Sequence, residues 1–157
     1  MKVFITGICG FVGSSVAAWL RQGDAGLAIS GMDNFLRPGS ETNRLRLQEL
    51  GMTVRHGDIR NSSDFEGLAA TDWVIDAAAN PGVLAGVDGT TSSRQLLEHN
   101  LIGTINILEF CKRAKAGFIL LSTSRVYSIP ELMTLPVHVQ DGAFALDTTQ
   151  PRPQGLS

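Results

Sequence analysis

A short apolar stretch, Lys2-Val3-Phe4-Ile5, runs directly into Thr6-Gly7-Ile8-Cys9-Gly10-Phe11-Val12-Gly13 at the start of the chain. A strand that enters a glycine-rich turn and then a helix leaves backbone N–H groups and the positive end of a helix dipole without partners. Such a turn is a cradle for an anionic diphosphate. The three glycines serve different steric purposes. One permits the tight turn, one lets the diphosphate approach the backbone, and one lets the helix lie close to the strand. The spacing is Gly7-x-x-Gly10-x-x-Gly13 rather than the commoner G-x-G-x-x-G. Beyond it, Val12, Val16, Trp19 and Leu20 recur at helical spacing and Gly23 offers a stop. The next strand, residues 27–32, ends in Asp33, twenty residues past Gly13. A carboxylate there can accept from both ribose hydroxyls of an adenosine and repels a 2′-phosphate, which points to NAD over NADP. Arg37 complicates that preference, and Asp33 beside Asn34 also reads as a turn residue.

Strands and helices continue to alternate. Residues 41–50 read as a helix with Leu45, Leu47 and Leu50 on it, followed by a strand at 53–56. Residues 64–70 form a short helix or turn, and Trp73-Val74-Ile75 continues through Asp76-Ala77-Ala78-Ala79 as a buried strand. Leu97, Leu101, Ile105 and Leu108 fall at intervals of four, four and three, which predicts a long helix over 91–114. Phe118-Ile119-Leu120-Leu121 predicts a fifth, fully buried strand. This pattern implies an α/β fold, a Rossmann-type doubly wound parallel sheet of order 3-2-1-4-5. The rhythm then breaks. Asp141-Gly142 between Val137–Gln140 and Ala143–Leu146 predicts a C-terminal hairpin with a type I′ turn, pairing Val139 with Phe144 and Val137 with Leu146. The expected division is residues 1–128 as the nucleotide-binding domain and residues 129–157 as hairpin and loop.

Formal charge is −2, and the 13 Lys and Arg residues are dispersed, so nucleic acid is an unexpected partner. The cluster Lys112-Arg113-Ala114-Lys115 falls where the long helix ends and suits the negative end of its dipole. Two cysteines, Cys9 and Cys111, offer neither metal-ligand spacing nor a disulfide framework. With no signal peptide and no membrane-length apolar run, a soluble cytoplasmic protein is expected.

Three more segments fit a dinucleotide site at the carboxyl ends of the strands. Asp58, after the third strand, can accept from an adenine amino group while Ile59 packs on the ring; as a turn or cap it has a purely structural role. Ala78 and Ala79 leave room for backbone to lie against a dinucleotide, or simply pack tightly. Asn100, a poor helix former placed in mid-helix, can reach the neighbouring strand end, or is a satisfied buried amide.

These motifs together resemble the extended short-chain dehydrogenase/reductase family, the NAD-dependent nucleotide-sugar epimerases and dehydratases. The resemblance rests on Thr6-Gly7-x-x-Gly10-Phe11-x-Gly13, Asp33-Asn34, Gly57-Asp58-Ile59, Ala78-Ala79, Asn100-x-x-Gly103-Thr104 and Ser122-Thr123-Ser124-Arg125-Val126-Tyr127. Within the family, the Ser-Thr-x-Arg-Val-Tyr wording is most similar to the CDP-paratose (tyvelose) 2-epimerase group. It implies NAD contacts at Gly7, Gly10, Phe11, Val12, Gly13, Asp33, Asn34, Asp58, Ile59, Ala78, Ala79, Asn100 and Ser122. It also implies Thr123 as the catalytic hydroxyl, with Ser124 as fallback, a nucleotide-sugar substrate and a homodimer. Two departures are mild: Asp76 stands where most relatives carry His, and Ser128 where they carry Gly. A third is serious. The family's Tyr-x-x-x-Lys pair is absent, since Tyr127 is the only tyrosine and no lysine follows Lys115. The chain therefore reads as the N-terminal part of a protein roughly twice as long. A dehydratase, a carbonyl reductase or a non-catalytic NAD-binding module are the alternatives; Ser124-Arg125, where a dehydratase usually has Asp-Glu, lowers the first.

Overall fold

The computed structural model describes residues 1–82, 92–122 and 129–147. The chain divides into two compact units, Met1–Leu121 and Ser122–Ser157.

The first unit carries β1 (Lys2–Thr6), α1 (Phe11–Gly23), β2 (Ala28–Asp33), α2 (Ser40–Glu49), β3 (Thr53–His56), β4 (Trp73–Asp76), α3 (Ser93–Leu97), α4 (Gly103–Ala114) and β5 (Gly117–Leu120). A 3-10 turn at Ser62–Phe65 begins two residues before the short helix or turn expected over 64–70 and ends at Phe65. The five strands form one parallel sheet of order β3-β2-β1-β4-β5, as the alternation of elements predicts. Alternate residues of β1 supply both faces, which is why the sheet is wound on both sides. Val3 and Ile5 join Ile8, Ala17, Ile29, Leu47 and Val54 in one core cluster. Phe4 joins Ile59, Phe65, Ile107, Phe110 and Cys111 in the other.

Helix positions follow the periodicity, but the buried faces differ. On α1 the buried residues are Gly13, Ser14, Ala17 and Ala18, while Trp19 is 71% exposed. Small residues face the sheet there because α1 must lie close to β1 at the glycine turn. Of Leu45, Leu47 and Leu50 only Leu47 is buried, and Leu50 falls just past the end of α2. The predicted long helix begins at Ser93 and contains a π-helical turn, Glu98–Ile102, between α3 and α4. Its buried side is Gly103, Ile107, Phe110 and Cys111, and the stripe Leu97, Leu101, Ile105 and Leu108 is exposed.

Two strand expectations are corrected. β4 ends at Asp76, because the Asp76 carboxylate turns back to accept from the N–H of Ala78 at 3.1 Å and so bends the chain out of the strand. β5 is an edge strand with no described neighbour beyond it, and Ile119 and Leu120 are exposed.

In the second unit, α5 (Ile129–Met133) precedes an antiparallel hairpin of β6 (Val137–Gln140) and β7 (Ala143–Leu146). Its register is the expected one, Val137 with Leu146 and Val139 with Phe144. Asp141 and Gly142 have φ of 52° and 77°, the paired left-handed residues of a type I′ turn.

Candidate functional site

At the end of β1, Gly7 takes a φ of +62° and α1 begins four residues later at Phe11. The Gly10 N–H donates to the Gly7 carbonyl at 2.9 Å and the Ser14 N–H to the Gly10 carbonyl at 2.9 Å. Between them, the N–H groups of Phe11, Val12 and Gly13 meet no acceptor among the described residues. No side chain caps this helix end, and its first turn holds no acidic residue. Three free donors at the positive end of a 13-residue helix fit a diphosphate.

The carboxyl end of β2 is wired into this turn. Asp33 is 8% exposed, its Oδ2 accepting from the Cys9 N–H at 3.0 Å and its Oδ1 from the Phe35 N–H at 2.9 Å. One lone pair on each oxygen remains for a pair of hydroxyl donors. Phe35 follows in a left-handed conformation, φ 55°, stacked on His56 and carrying the Arg44 guanidinium 5.4 Å from its ring centre. Burial and the Asp33 charge push the Cys9 thiol up to about 12, so it stays protonated and inert.

At the exit of β3, Asp58 is more heavily engaged than its sequence position suggests. Its Oδ1 accepts from the Arg60 N–H and Nε, both at 3.0 Å. Its Oδ2 accepts from Arg60 Nη2 at 2.6 Å and Asn34 Nδ2 at 3.1 Å. Four donors fill the four lone pairs of a carboxylate, so an adenine amino group reaches Asp58 only by displacing Arg60 or Asn34. Burial pushes the Asp58 carboxyl up, but the bonds from Arg60 and Asn34 outweigh it and bring its pKa to about 2. A carboxyl lowered on folding stabilises the chain above its unfolded pKa and loses that contribution as pH falls through the folded value. The chain is therefore expected to lose stability between about pH 4 and pH 2, and Asp58→Asn to be about 1–2 kcal/mol less stable at neutral pH with a flatter acid limb. Urea denaturation at pH 7 and pH 3 reads this; parallel pH profiles for the two proteins would contradict it.

β4 ends beside the glycine turn, Asp76 lying in register with Thr6. Asp76 is 2% exposed, and its Oδ1 accepts from the Thr6 hydroxyl at 2.6 Å as well as from Ala78. Burial raises its pKa against those two hydrogen bonds. A Cβ on Gly7 would lie 2.9 Å from both the Ala77 carbonyl oxygen and the Ala78 Cα, so the alanine segment abuts the turn. Ala78 packs on the core and Ala79 is exposed. Asn100, in the π-helical turn, clamps the next residue: its Oδ1 accepts from the Asn80 N–H at 2.8 Å and its Nδ2 donates to the Asn80 carbonyl at 3.1 Å. The reach inferred from its mid-helix position is thus a two-point hold on backbone.

Gly7, Gly10, Phe11, Val12, Gly13, Asp33, Asn34, Asp58, Ile59, Ala78, Ala79 and Asn100 all lie at the carboxyl edge of the sheet or on the helix beside it. Ser122 is exposed and belongs to the second unit. Thr123, Ser124, Tyr127 and Ser128 lie outside the described residues. Asn106 has no counterpart among the residues singled out from the sequence, although it too is an asparagine in mid-helix; its Nδ2 donates to the carbonyls of Ile59 and Arg60.

Comparison with known proteins matches residues 3–148 to the NAD dependent epimerase/dehydratase family. CDP-paratose 2-epimerase of Salmonella typhi is 35% identical over 134 residues, covering 81% of this chain and 38% of that protein. UDP-glucuronate 4-epimerase 1 of Arabidopsis thaliana is 30% identical over 138 residues, covering 83% of this chain and 32% of that protein. Among solved structures, UDP-glucuronic acid 4-epimerase from Bacillus cereus, in complex with UDP-glucuronic acid and NAD, superposes with a TM-score of 0.68 at 30% identity. That match covers 82% of this chain and 42% of the other. The chain thus spans less than half the length of each of these relatives.

Proposed function

The chain belongs to the NAD-dependent epimerase/dehydratase family, and from that premise we propose that it is the cofactor-binding part of an enzyme that epimerises a nucleotide sugar. The observation that carries the reading is the uncapped helix end at Phe11–Gly13, free of acidic residues and flanked by the buried Asp33 carboxylate. The donors of Phe11, Val12 and Gly13 would hold the diphosphate of NAD, and the open lone pairs of Asp33 the adenosine ribose. Bound there, NAD would supply reversible hydride transfer, converting a sugar carbinol to a ketone and back with inversion of one centre. Thr123 would hydrogen-bond the reacting hydroxyl. Proton abstraction needs a base within hydrogen-bond reach, and the family's Tyr-x-x-x-Lys pair is not in these 157 residues. Turnover therefore requires that pair in addition to these residues.

Two further readings accompany this one. The exposed stripe Leu97, Leu101, Ile105 and Leu108 supports packing against a second copy of the chain, which sedimentation of the purified protein would detect. The two cysteines are free and buried, and no helix among the described residues is long and apolar enough to cross a membrane, which supports a cytoplasmic site.

Titration with both nucleotides is expected to give tighter binding of NAD, since a 2′-phosphate beside Asp33 meets like charge. The chain alone should epimerise no CDP- or UDP-sugar, whereas a form extended through Tyr-x-x-x-Lys should, and Thr123→Val in that form should lower turnover more than substrate affinity. Tighter NADP binding would overturn the cofactor assignment. Activity from the 157-residue chain would overturn the assignment of the base, and an inactive extended form that still binds NAD would favour a non-catalytic binding module.

A further inference from the structure

Three features in one and a half turns press α4 onto the backbone that leaves β3. Gly103 leaves no room for a side chain, because Ile59 fills that space, its Cγ1 2.7 Å from where a Cβ would stand. Ile107 is buried in the same cluster as Ile59. Between them, Asn106 spends one amide nitrogen on two carbonyls, donating to Ile59 O at 2.8 Å and Arg60 O at 3.1 Å. Packing is already supplied by Gly103 and Ile107, so the carboxamide adds something packing does not: it fixes the rotation of two successive peptide groups. The first of those peptides carries the Arg60 N–H, which together with the guanidinium of the same residue supplies three of the four hydrogen bonds to the Asp58 carboxylate. The same helical segment holds the exit of β4 by a separate contact, Asn100 on Asn80.

We propose that Asn106 is a positioning residue for the adenine end of the dinucleotide site, setting the Ile59–Arg60 backbone and, through Arg60, the orientation of the Asp58 carboxylate. This rests on the reading of the chain as an NAD-binding unit. Asn106 itself touches neither base nor sugar; it presets the Ile59 and Arg60 peptides beside which the adenine would lie, with the Asp58 carboxylate already filled by Arg60 and Asn34, and so lowers the ordering cost of binding.

The test compares Asn106→Leu, close in volume but without donors, and Asn106→Ala, which leaves room for water to satisfy the two carbonyls and serves if the leucine variant does not fold. Each is titrated with NAD, with AMP and with nicotinamide mononucleotide, well below its melting temperature, beside wild type. The expected result is about a tenfold loss of NAD and AMP affinity in the Asn106 variants, with nicotinamide mononucleotide unchanged. A merely structural role would not separate the two half-ligands. AMP affinity within about twofold of wild type in a folded Asn106 variant overturns the proposal, as does equal loss of both half-ligands. Wild-type chain that binds neither NAD nor AMP overturns the dinucleotide reading itself, and the role of Asn106 with it.

Discussion

Gly13→Ala is expected to destabilise the chain by about 3 kcal/mol. The new Cβ would fall well inside contact distance of the Gly7 carbonyl oxygen, 2.9 Å from the Gly7 carbonyl carbon and 3.0 Å from the Ile8 Cα. All three are backbone atoms, so no side chain can rotate away. Relief requires α1 to lift from β1, and that opens the core around Ile8 and Ala17, both of which are fully buried. A loss of this size is a large fraction of the stability of a domain this small. Urea denaturation of the variant reads the effect, and a midpoint equal to that of the wild type would show that the turn relaxes without lifting the helix.

Gly10→Val should behave in the opposite way, folding normally while NAD affinity falls about a hundredfold. Gly10 has φ −67° and ψ 170°, open to any residue, so the disfavoured backbone that a glycine here suggests is not present. A Cβ would meet only the Gly7 carbonyl oxygen, at 3.2 Å. The rest of the branched side chain would compete with a diphosphate for the space beside the donors of Phe11 to Gly13. Excluding the diphosphate from two of those charge-assisted hydrogen bonds accounts for the expected loss. Calorimetric titration with NAD, checked by circular dichroism for an intact fold, is the measurement; undiminished affinity would place the diphosphate elsewhere.

Gly7-x-x-Gly10-x-x-Gly13 reads in the sequence as three glycines with three steric purposes, and the fold assigns them: Gly7 takes the left-handed turn, Gly10 leaves open the space before the helix end, and Gly13 lets the helix touch the strand. The motif announces the architecture and the kind of ligand. Which glycine does which depends on the distance of each Cβ position from backbone brought in by the fold. Asn100 and Asn106 present the same contrast. Both stand out in a helix as residues of poor propensity, but only the fold places one against Asn80 and the other against Ile59 and Arg60.

What the sequence determined by itself is whatever local chemistry imposes. The alternation of short apolar runs with helical periodicity requires a doubly wound parallel sheet, and Asp141-Gly142 sets the register of the hairpin, because turn geometry and side-chain period act within a few residues. The tertiary structure decided the rest. The apolar run in β5 reads as fully buried, yet Ile119 and Leu120 are exposed, and so is the apolar stripe whose spacing marks the long helix. Periodicity reveals that a face is apolar and carries no information about what covers it. Asp58, likewise, reads as a free acceptor for adenine, whereas the fold brings Asn34 from 24 residues away to complete its saturation with Arg60. Hydrogen-bond capacity is a property of a residue, but how much of it remains for a ligand is set by the distant groups that folding brings into reach.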